Sequence, residues 1–181
     1  IPRHPRLNKI DDKSHASREG RSRLFELLTQ WELWTELLAR ETTHLEALAA
    51  EEDAVKRLRA LGAAAFGSGD LVRGDRCLSE LDGRLGLELA KPDKDDKDGK
   101  KRDSRLKPFR NALAELRGRR ASAFGEPKAA LADLLKADDL RKDVLARAQL
   151  AAGLGDKAEE TARTAAKGAE GQALPQAVLA E

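Results

Sequence analysis

The sequence is poor in the side chains that fill most protein cores. Only 3% of its 181 residues are aromatic, and Met and Tyr are absent. Any core must therefore consist largely of Leu and Ala. No run of alternating Val, Ile or Thr predicts a sheet, and the Ala-rich, Leu-rich composition with 36% charged residues is typical of amphipathic helices. The sequence predicts an all-α fold, and its length predicts one domain.

Cysteine is nearly absent as well. The single cysteine, Cys77, excludes an internal disulfide and leaves the redox compartment undetermined. Because Cys77 lies within a predicted helix, we expect a small packed side chain. Arg73 and Arg76 lie nearby, and they are the features that would favour a reactive thiol instead.

The sequence also has no apolar run long enough to span a membrane and no signal segment. We therefore expect a soluble protein, either cytoplasmic or exported. The chain opens with Ile1 rather than Met, and residues 174–181 look like the start of another helix. We expect a fragment of a larger multidomain bacterial protein, truncated at the C-terminus.

The net charge of +2 conceals a division of charge along the chain. Residues 1–23 carry seven basic and three acidic residues, a net charge of +4, and residues 91–107 carry eight basic and five acidic residues, a net charge of +3. The remainder is mildly acidic. A nucleic-acid binder usually carries Lys and Arg along a folded face with aromatic residues between them, so we expect no nucleic-acid partner.

The charge division also predicts the organisation of the chain. Because Pro disfavours helix around it, the Pro-containing segment 1–21 is predicted to be an extended basic arm. Residues 91–103 contain no apolar residue other than Pro92, so 91–107 is predicted to be a disordered, flexible loop. The helical parts are then 22–90 and 108–181.

The first strong helical pattern covers residues 22–40. Leucines and the two tryptophans, Trp31 and Trp34, follow spacings of three and four and so share one face. We expect both rings to fill the core at one end of the molecule. The alternative is that they anchor a bound peptide.

Two short helices joined by a tight turn are predicted between Leu58 and Leu85. The pattern is Leu-x-x-Leu-Gly-x-x-Ala, then Gly69-Asp70, then a small residue followed by two leucines at helical spacing. This pattern resembles one tetratricopeptide (TPR) repeat, with Gly86 in place of the family's proline. Gly62 and Gly74 are predicted to face each other where the two helices cross.

Two further copies of this pattern follow. With Gly125 placed on Gly69, Gly118 takes the position of Gly62. In the third copy the turn is predicted at Gly155-Asp156, and Arg147 takes the position of Leu61. Without the charged insertion the turn glycines approach the 34-residue spacing of TPR repeats. The resemblance implies a solenoid of antiparallel helix hairpins.

Metal-binding patterns are weak. Three scattered histidines lack the paired spacing of a zinc site; they are His4, His15 and His44. Asp96-x-Asp98-Gly99 matches part of a calcium loop, but Lys94 and Arg105 would occupy ligand positions that need carboxylates. We expect no metal site.

No catalytic pattern is found either. No Ser or Cys is paired with a suitably placed His, and no glycine loop of the kind that holds phosphate is present. We expect no enzymatic activity and no cofactor in this chain.

The resemblance implies a non-catalytic scaffold or protein-interaction module, which holds a protein or peptide on the surface of the first helix of each pair. Candidate contacts for such a partner are four arginines, which would suit an acidic peptide: Arg59, Arg117, Arg119 and Arg120. An alternative is a helical spacer, similar to helical regions of larger bacterial proteins with a redoxin or thioredoxin-like domain; that domain would lie outside this chain. The oligomeric state is left open.

Overall fold

The computed structural model describes residues 15–39, 51–91 and 100–167 of the chain. Within these ranges the chain forms eight helices and no strand, so the all-α prediction is confirmed. The helices are α1 (His15–Gln30), α2 (Trp34–Ala39), α3 (Glu51–Ser68), α4 (Leu71–Ala90), α5 (Lys100–Ala123), α6 (Pro127–Leu134), α7 (Lys142–Ala151) and α8 (Gly155–Lys167). No helix in the described ranges is long and apolar enough to cross a lipid bilayer.

Consecutive helices pack in pairs. The contacts α1·α2, α3·α4, α5·α6 and α7·α8 each join two helices that follow one another in the chain. Between pairs, α2 packs on α3, α5 packs on both α3 and α4, and α7 packs on α6. The hairpin predicted between Leu58 and Leu85 is thus present as α3 and α4.

Three of the four pairs are joined by the same glycine turn. Gly69, Gly125 and Gly153 have φ angles of 82°, 72° and 81°, which glycine adopts without steric cost. In each turn the amide of the next residue donates to the carbonyl five positions back: Asp70 to Ala65, Glu126 to Ala121 and Leu154 to Gln149, at 2.8, 2.9 and 2.9 Å. This is the Schellman helix end, and in each case the next helix begins two residues after the glycine.

The third turn lies at Gly153 and not at the predicted Gly155, which is the first residue of α8. With Gly153 placed on Gly69, the position of Leu61 falls on Leu145 rather than on Arg147. Ala158 then corresponds to Gly74, and it is buried. In this alignment Arg147 no longer occupies the position of Leu61.

The first pair uses the same turn without a glycine. The predicted helix over 22–40 is interrupted after Gln30, and Glu32 has a φ angle of 51°. Leu33 donates to the carbonyl of Leu28 at 2.9 Å and Glu32 donates to that of Thr29 at 3.3 Å, which repeats the hydrogen bonds of the glycine turns. Glu32 therefore occupies the position that glycine holds in the other three.

The predicted basic arm is too long at its C-terminal side, since α1 begins at His15. Residues 1–14 lie outside the described residues, as do residues 40–50 with His44, and residues 168–181.

The predicted charged loop also differs from the structure, because α5 begins at Lys100. Leu106 is buried with 1% of its surface exposed, so this part of the predicted loop does have an apolar anchor. Arg105 adds an ion pair to Glu88 of α4, with 3.4 Å between Nε and Oε2. Residues 92–99, with the partial calcium-loop pattern, lie outside the described residues.

Gly62 and Gly74 both lie at close helix contacts, but they do not face each other, so that prediction is wrong. A Cβ atom at Gly62 would lie 2.7 Å from Cδ1 of Leu116 on α5 and 3.2 Å from Cβ of Cys77. A Cβ atom at Gly74 would lie 2.5 Å from the ring of Phe66. Each glycine makes room for a larger side chain on another helix rather than for the other glycine.

The buried side chains form two separate hydrophobic clusters. The larger one joins α1 to α5 through residues such as Phe25, Leu37, Leu61 and Leu116. The smaller one joins α6 and α7 through four buried residues, which are Leu131, Leu134, Val144 and Ala148. Cys77 is buried in the larger cluster with 6% of its surface exposed, and this burial raises the pKa of its thiol, which agrees with the packed side chain that we expected.

Candidate functional site

Two cavities that share the Arg119 side chain lie between the helix pairs. The first cavity has a volume of about 280 Å³ and an apolar floor made by side chains of α1, α2 and α3; the floor includes Phe25, Trp34, Ala60 and Ala63. The second has a volume of about 330 Å³ and is lined mainly by α3, α5 and α7, including Phe66, Leu134, Val144 and Ala148. Arg119 lines both cavities. We call the two cavities together the central groove.

Arg59 and Glu115 form the centre of a charged network along the groove. Arg59 Nε donates to Glu115 Oε2 at 2.6 Å, and its two terminal nitrogens donate to both carboxylate oxygens of Asp139 at 2.8 and 2.9 Å. Glu115 is 7% exposed and also accepts from Arg119 Nε at 2.8 Å. This paired geometry is the one in which a guanidinium binds carboxylates most strongly.

Glu32 extends the network to α7. Arg147 Nη1 and Nη2 donate to the two oxygens of Glu32 at 2.7 and 2.8 Å, and Arg119 Nη2 donates to Glu32 at 3.4 Å. The Arg119 guanidinium also lies 5.5 Å from the centre of the Trp34 ring, within the range of a cation–π contact. We call Glu32, Arg119 and Arg147 the polar bridge.

Arg141 completes the network at the start of α7. Its Nε and Nη2 donate to the two oxygens of Asp143 at 3.0 and 2.5 Å, and its Nη1 donates to the carbonyl of Thr29 at 2.8 Å. Asp143 also forms an ion pair with Arg147 at 3.5 Å. Four arginines and four carboxylates are thus joined around the groove, and their formal charges cancel.

The arginines lower the pKa of three carboxyl groups of this network, those of Glu32, Glu115 and Asp139. Burial by itself would raise the pKa of Glu32, but the hydrogen bond from Arg147 and the charges of Arg119 and Arg147 outweigh it, and the pKa is lowered. Burial likewise acts to raise the pKa of Glu115, and Arg119 and Arg59 outweigh it. The pKa of Asp139 is lowered too, against the effect of burial, by Arg59 and Asn111.

Two of the four arginines singled out in the sequence lie in the groove and two do not. Arg59 and Arg119 line the first cavity. Arg117 lies 3.3 Å from Asp82 and Arg120 lies 2.7 Å from Asp75, both partners on α4. Arg119 therefore lies on the side of α5 that faces Arg59, and Arg117 and Arg120 lie on the side that faces α4.

The tryptophans also differ from the prediction that both fill the core. Trp34 is partly buried against the larger cluster and lines the first cavity, whereas Trp31 is 38% exposed. The reason is the turn at Glu32, which ends α1 before Trp34 and so removes the two rings from a common helical face. Trp34 occupies a position that suits the alternative of a peptide-binding anchor.

Sequence reasoning missed Glu32, Glu115, Asp139, Arg141 and Arg147 as parts of the site. The four-residue spacing of Glu115 and Arg119 on one helix is a signal that could have found the first of them. The contact between Glu32 and Arg147 joins residues 115 positions apart, and no local pattern indicates it. Within the described ranges, no group of three or more His, Cys, Asp or Glu side chains is arranged to hold a metal ion.

Comparison with protein-family models, with curated proteins and with solved structures finds no match to this chain.

Proposed function

We propose that the chain is a non-catalytic, TPR-like helical-repeat module that binds a protein or peptide partner in the central groove. The observation that carries the proposal is the groove itself, which is lined by the first helix of successive pairs. In a two-helix repeat protein these helices form the concave surface on which partners are held.

The shared turn supports a repeat architecture. The four helix pairs end their first helix with the same hydrogen bonds and begin their second helix two residues after the turn residue. In addition, α5 packs on both helices of the preceding pair. Helix pairs stacked in this way bury apolar faces that a single pair leaves exposed.

The groove suits part of a peptide better than a folded domain. Its cavities of about 280 and about 330 Å³ are at the lower end of the range for ligand sites, so each accommodates a few side chains. The first combines an apolar floor with charged side chains at its edge, such as Lys56 and Asp139. This arrangement fits a segment with apolar residues and a small number of polar groups.

A matched pair of substitutions tests this proposal. Lys56 lines the first cavity, and its side chain is 50% exposed. Its exposed ion pair with Glu26 is worth at most about 1 kcal/mol, so Lys56→Trp should block the cavity without unfolding the chain. Lys128 is an exposed lysine on α6 that lines neither cavity, and Lys128→Trp is the control.

Peptides are first selected from a displayed random library on the unsubstituted chain, and their dissociation constants are then measured by fluorescence polarisation. We expect Lys56→Trp to weaken binding at least about tenfold, whereas Lys128→Trp should change it by less than about twofold. Equal binding to both variants, with circular dichroism showing that both are folded, would refute the groove as the binding surface.

A further inference from the structure

Glu32 holds a backbone conformation that residues other than glycine avoid. Its φ angle of 51° is that of the left-handed region, and the three equivalent turns place glycine there. Among the described residues it is the one non-glycine residue with a positive φ angle. Strained backbone of this kind persists where surrounding contacts determine it, and it occurs often at binding sites.

Besides the backbone hydrogen bonds of the turn, Glu32 is held by contacts of its carboxylate. Its two oxygens accept from both terminal nitrogens of Arg147 at 2.7 and 2.8 Å, and Oε1 lies 3.4 Å from Arg119. The side chain is 12% exposed. Two guanidinium groups from α5 and α7 thus enclose one carboxylate, in the paired geometry that arginine forms with carboxylates.

The two guanidinium groups that hold the carboxylate line the cavities. Arg119 lines both, and Arg147 lines the second. A peptide that ran along the whole central groove would therefore pass both of these guanidinium groups. Its neighbouring side chains would reach the apolar floor on one side and the Leu134 and Val144 side chains on the other.

Polar contacts join the first pair to α7 and to the residue before it. Glu32 pairs with Arg147, and the Thr29 carbonyl accepts from Arg141. Neither of the two hydrophobic clusters of the described residues includes side chains from both the first pair and α7. The four arginines of the network are already balanced by four carboxylates of the same chain. An acidic partner can therefore pair with one of these arginines only by replacing a carboxylate of the network.

We infer that Arg119 and Arg147 form a binding site for a carboxylate side chain of a peptide partner, and that Glu32 occupies this site when the partner is absent. The inference rests on the proposed function and adds the chemistry of the ligand: an extended segment with one acidic residue flanked by apolar residues. Occupation by Glu32 lowers the apparent affinity, because only the fraction of molecules with the site vacated can bind.

The test uses a fluorescein-labelled amidated peptide, Gly-Ala-Leu-Glu-Leu-Ala-Gly, and a twin with Gln in place of Glu. Glu32→Gln removes the internal carboxylate and keeps the side-chain shape. Glu32→Gly removes the carboxylate and also relieves the backbone strain, so it provides a folded variant if the first is unstable. Glu126→Gln removes an exposed carboxylate next to another turn and is the matched control.

We expect both Glu32 variants to bind the Glu peptide at least about tenfold more tightly than the unsubstituted chain does. The affinity of the Gln peptide for the same two variants should rise by less than about twofold. Glu126→Gln should leave the affinities of both peptides unchanged. Adding Arg147→Met to Glu32→Gly should abolish the gain, because the guanidinium that would take the peptide carboxylate is then missing.

Unchanged affinity of the Glu peptide in both Glu32 variants, or a gain that persists with Arg147→Met, would overturn the inference. If library-selected peptides are blocked by Lys56→Trp but bind all Glu32 variants equally, the inference fails and the proposed function stands. If no peptide is sensitive to Lys56→Trp, both fail.

Discussion

The close packing at Gly74 predicts that alanine there destabilises the chain, whereas alanine at another glycine of the same helix should stabilise it. A Cβ atom at Gly74 would lie 2.5, 2.6 and 2.7 Å from three ring atoms of Phe66, which is itself 4% exposed and cannot move into solvent. Overpacking of this kind costs about 1–3 kcal/mol. The gain in helix propensity from Gly to Ala, up to about 1 kcal/mol, offsets part of it.

We therefore expect Gly74→Ala to lower the free energy of unfolding by about 1–2 kcal/mol. Gly83 lies in α4 as well, but nothing lies within 4 Å of its added Cβ, so Gly83→Ala should raise the free energy of unfolding by up to about 1 kcal/mol. Urea unfolding followed by circular dichroism measures both, and with an m-value of about 2 kcal/mol/M the two midpoints should differ by roughly 0.5–1.5 M. A Gly74→Ala variant as stable as Gly83→Ala would refute the packing of α3 against α4 described here.

Three further predictions concern the turn at Glu32, the charged network and the buried cysteine. Positions 32 and 125 both have positive φ, so glycine should be more stable than alanine by about 1 kcal/mol at each of them. In urea unfolding, the free energy of unfolding of Glu32→Gly should exceed that of Glu32→Ala by as much as that of the parent exceeds that of Gly125→Ala. Equal stability of the two Glu32 variants would show that this turn does not have a positive φ angle. The pKa of Glu115 is lowered from its usual 4.5 in the folded chain, so its contribution to stability is present above that pH and is lost as the pH falls through the lowered value. Glu115→Gln should therefore destabilise the chain by about 3 kcal/mol at about pH 7 and by much less at about pH 3, and an equal loss at both would contradict the network. Cys77, 6% exposed with a raised pKa, should react with a thiol reagent such as dithionitrobenzoate only as the chain unfolds, with a rate that rises along the urea transition; rapid labelling in buffer would place it at the surface.

The parts of this fold that local chemistry determines could be predicted from the sequence. The turn glycines Gly69 and Gly125 follow helical patterns directly, since a left-handed residue at a helix end is nearly always glycine. The small residue at Gly62 indicated a close helix contact. Its partner, Leu116, lies on the far side of the charged insertion in the sequence. A local sequence pattern does not indicate contacts between residues so far apart in the chain.

The turn at Glu32 could not be predicted for a related reason. Glutamate is not a residue that favours positive φ, and Trp31 and Trp34 continue the helical spacing of the leucines through it. The arginines that hold the Glu32 carboxylate lie 87 and 115 positions further along the chain. Only the folded arrangement brings those charges to the turn.

The candidate arginines of α5 are close in sequence but face different neighbours in the structure. Arg117, Arg119 and Arg120 are close in sequence, but successive residues of a helix point about 100° apart. Arg119 therefore faces the groove and Trp34, while Arg117 and Arg120 reach Asp82 and Asp75 of α4. The resemblance to a two-helix repeat suggested these arginines, and the geometry of α5 decides that Arg119, and neither Arg117 nor Arg120, lines the first cavity.

The coupling between Glu32 and Arg147 tests the central feature of this structure most directly, because it joins the first helix pair to α7 across the groove. A double-mutant cycle compares the parent, Glu32→Gln, Arg147→Met and the double variant by urea unfolding. Asp143, another partner of Arg147, and Arg119, a second partner of Glu32, are present in all four proteins, so their contributions cancel in the cycle. We expect a coupling energy of about 1–2 kcal/mol, and a value below about 0.5 kcal/mol, the level of independent sites, would contradict the arrangement.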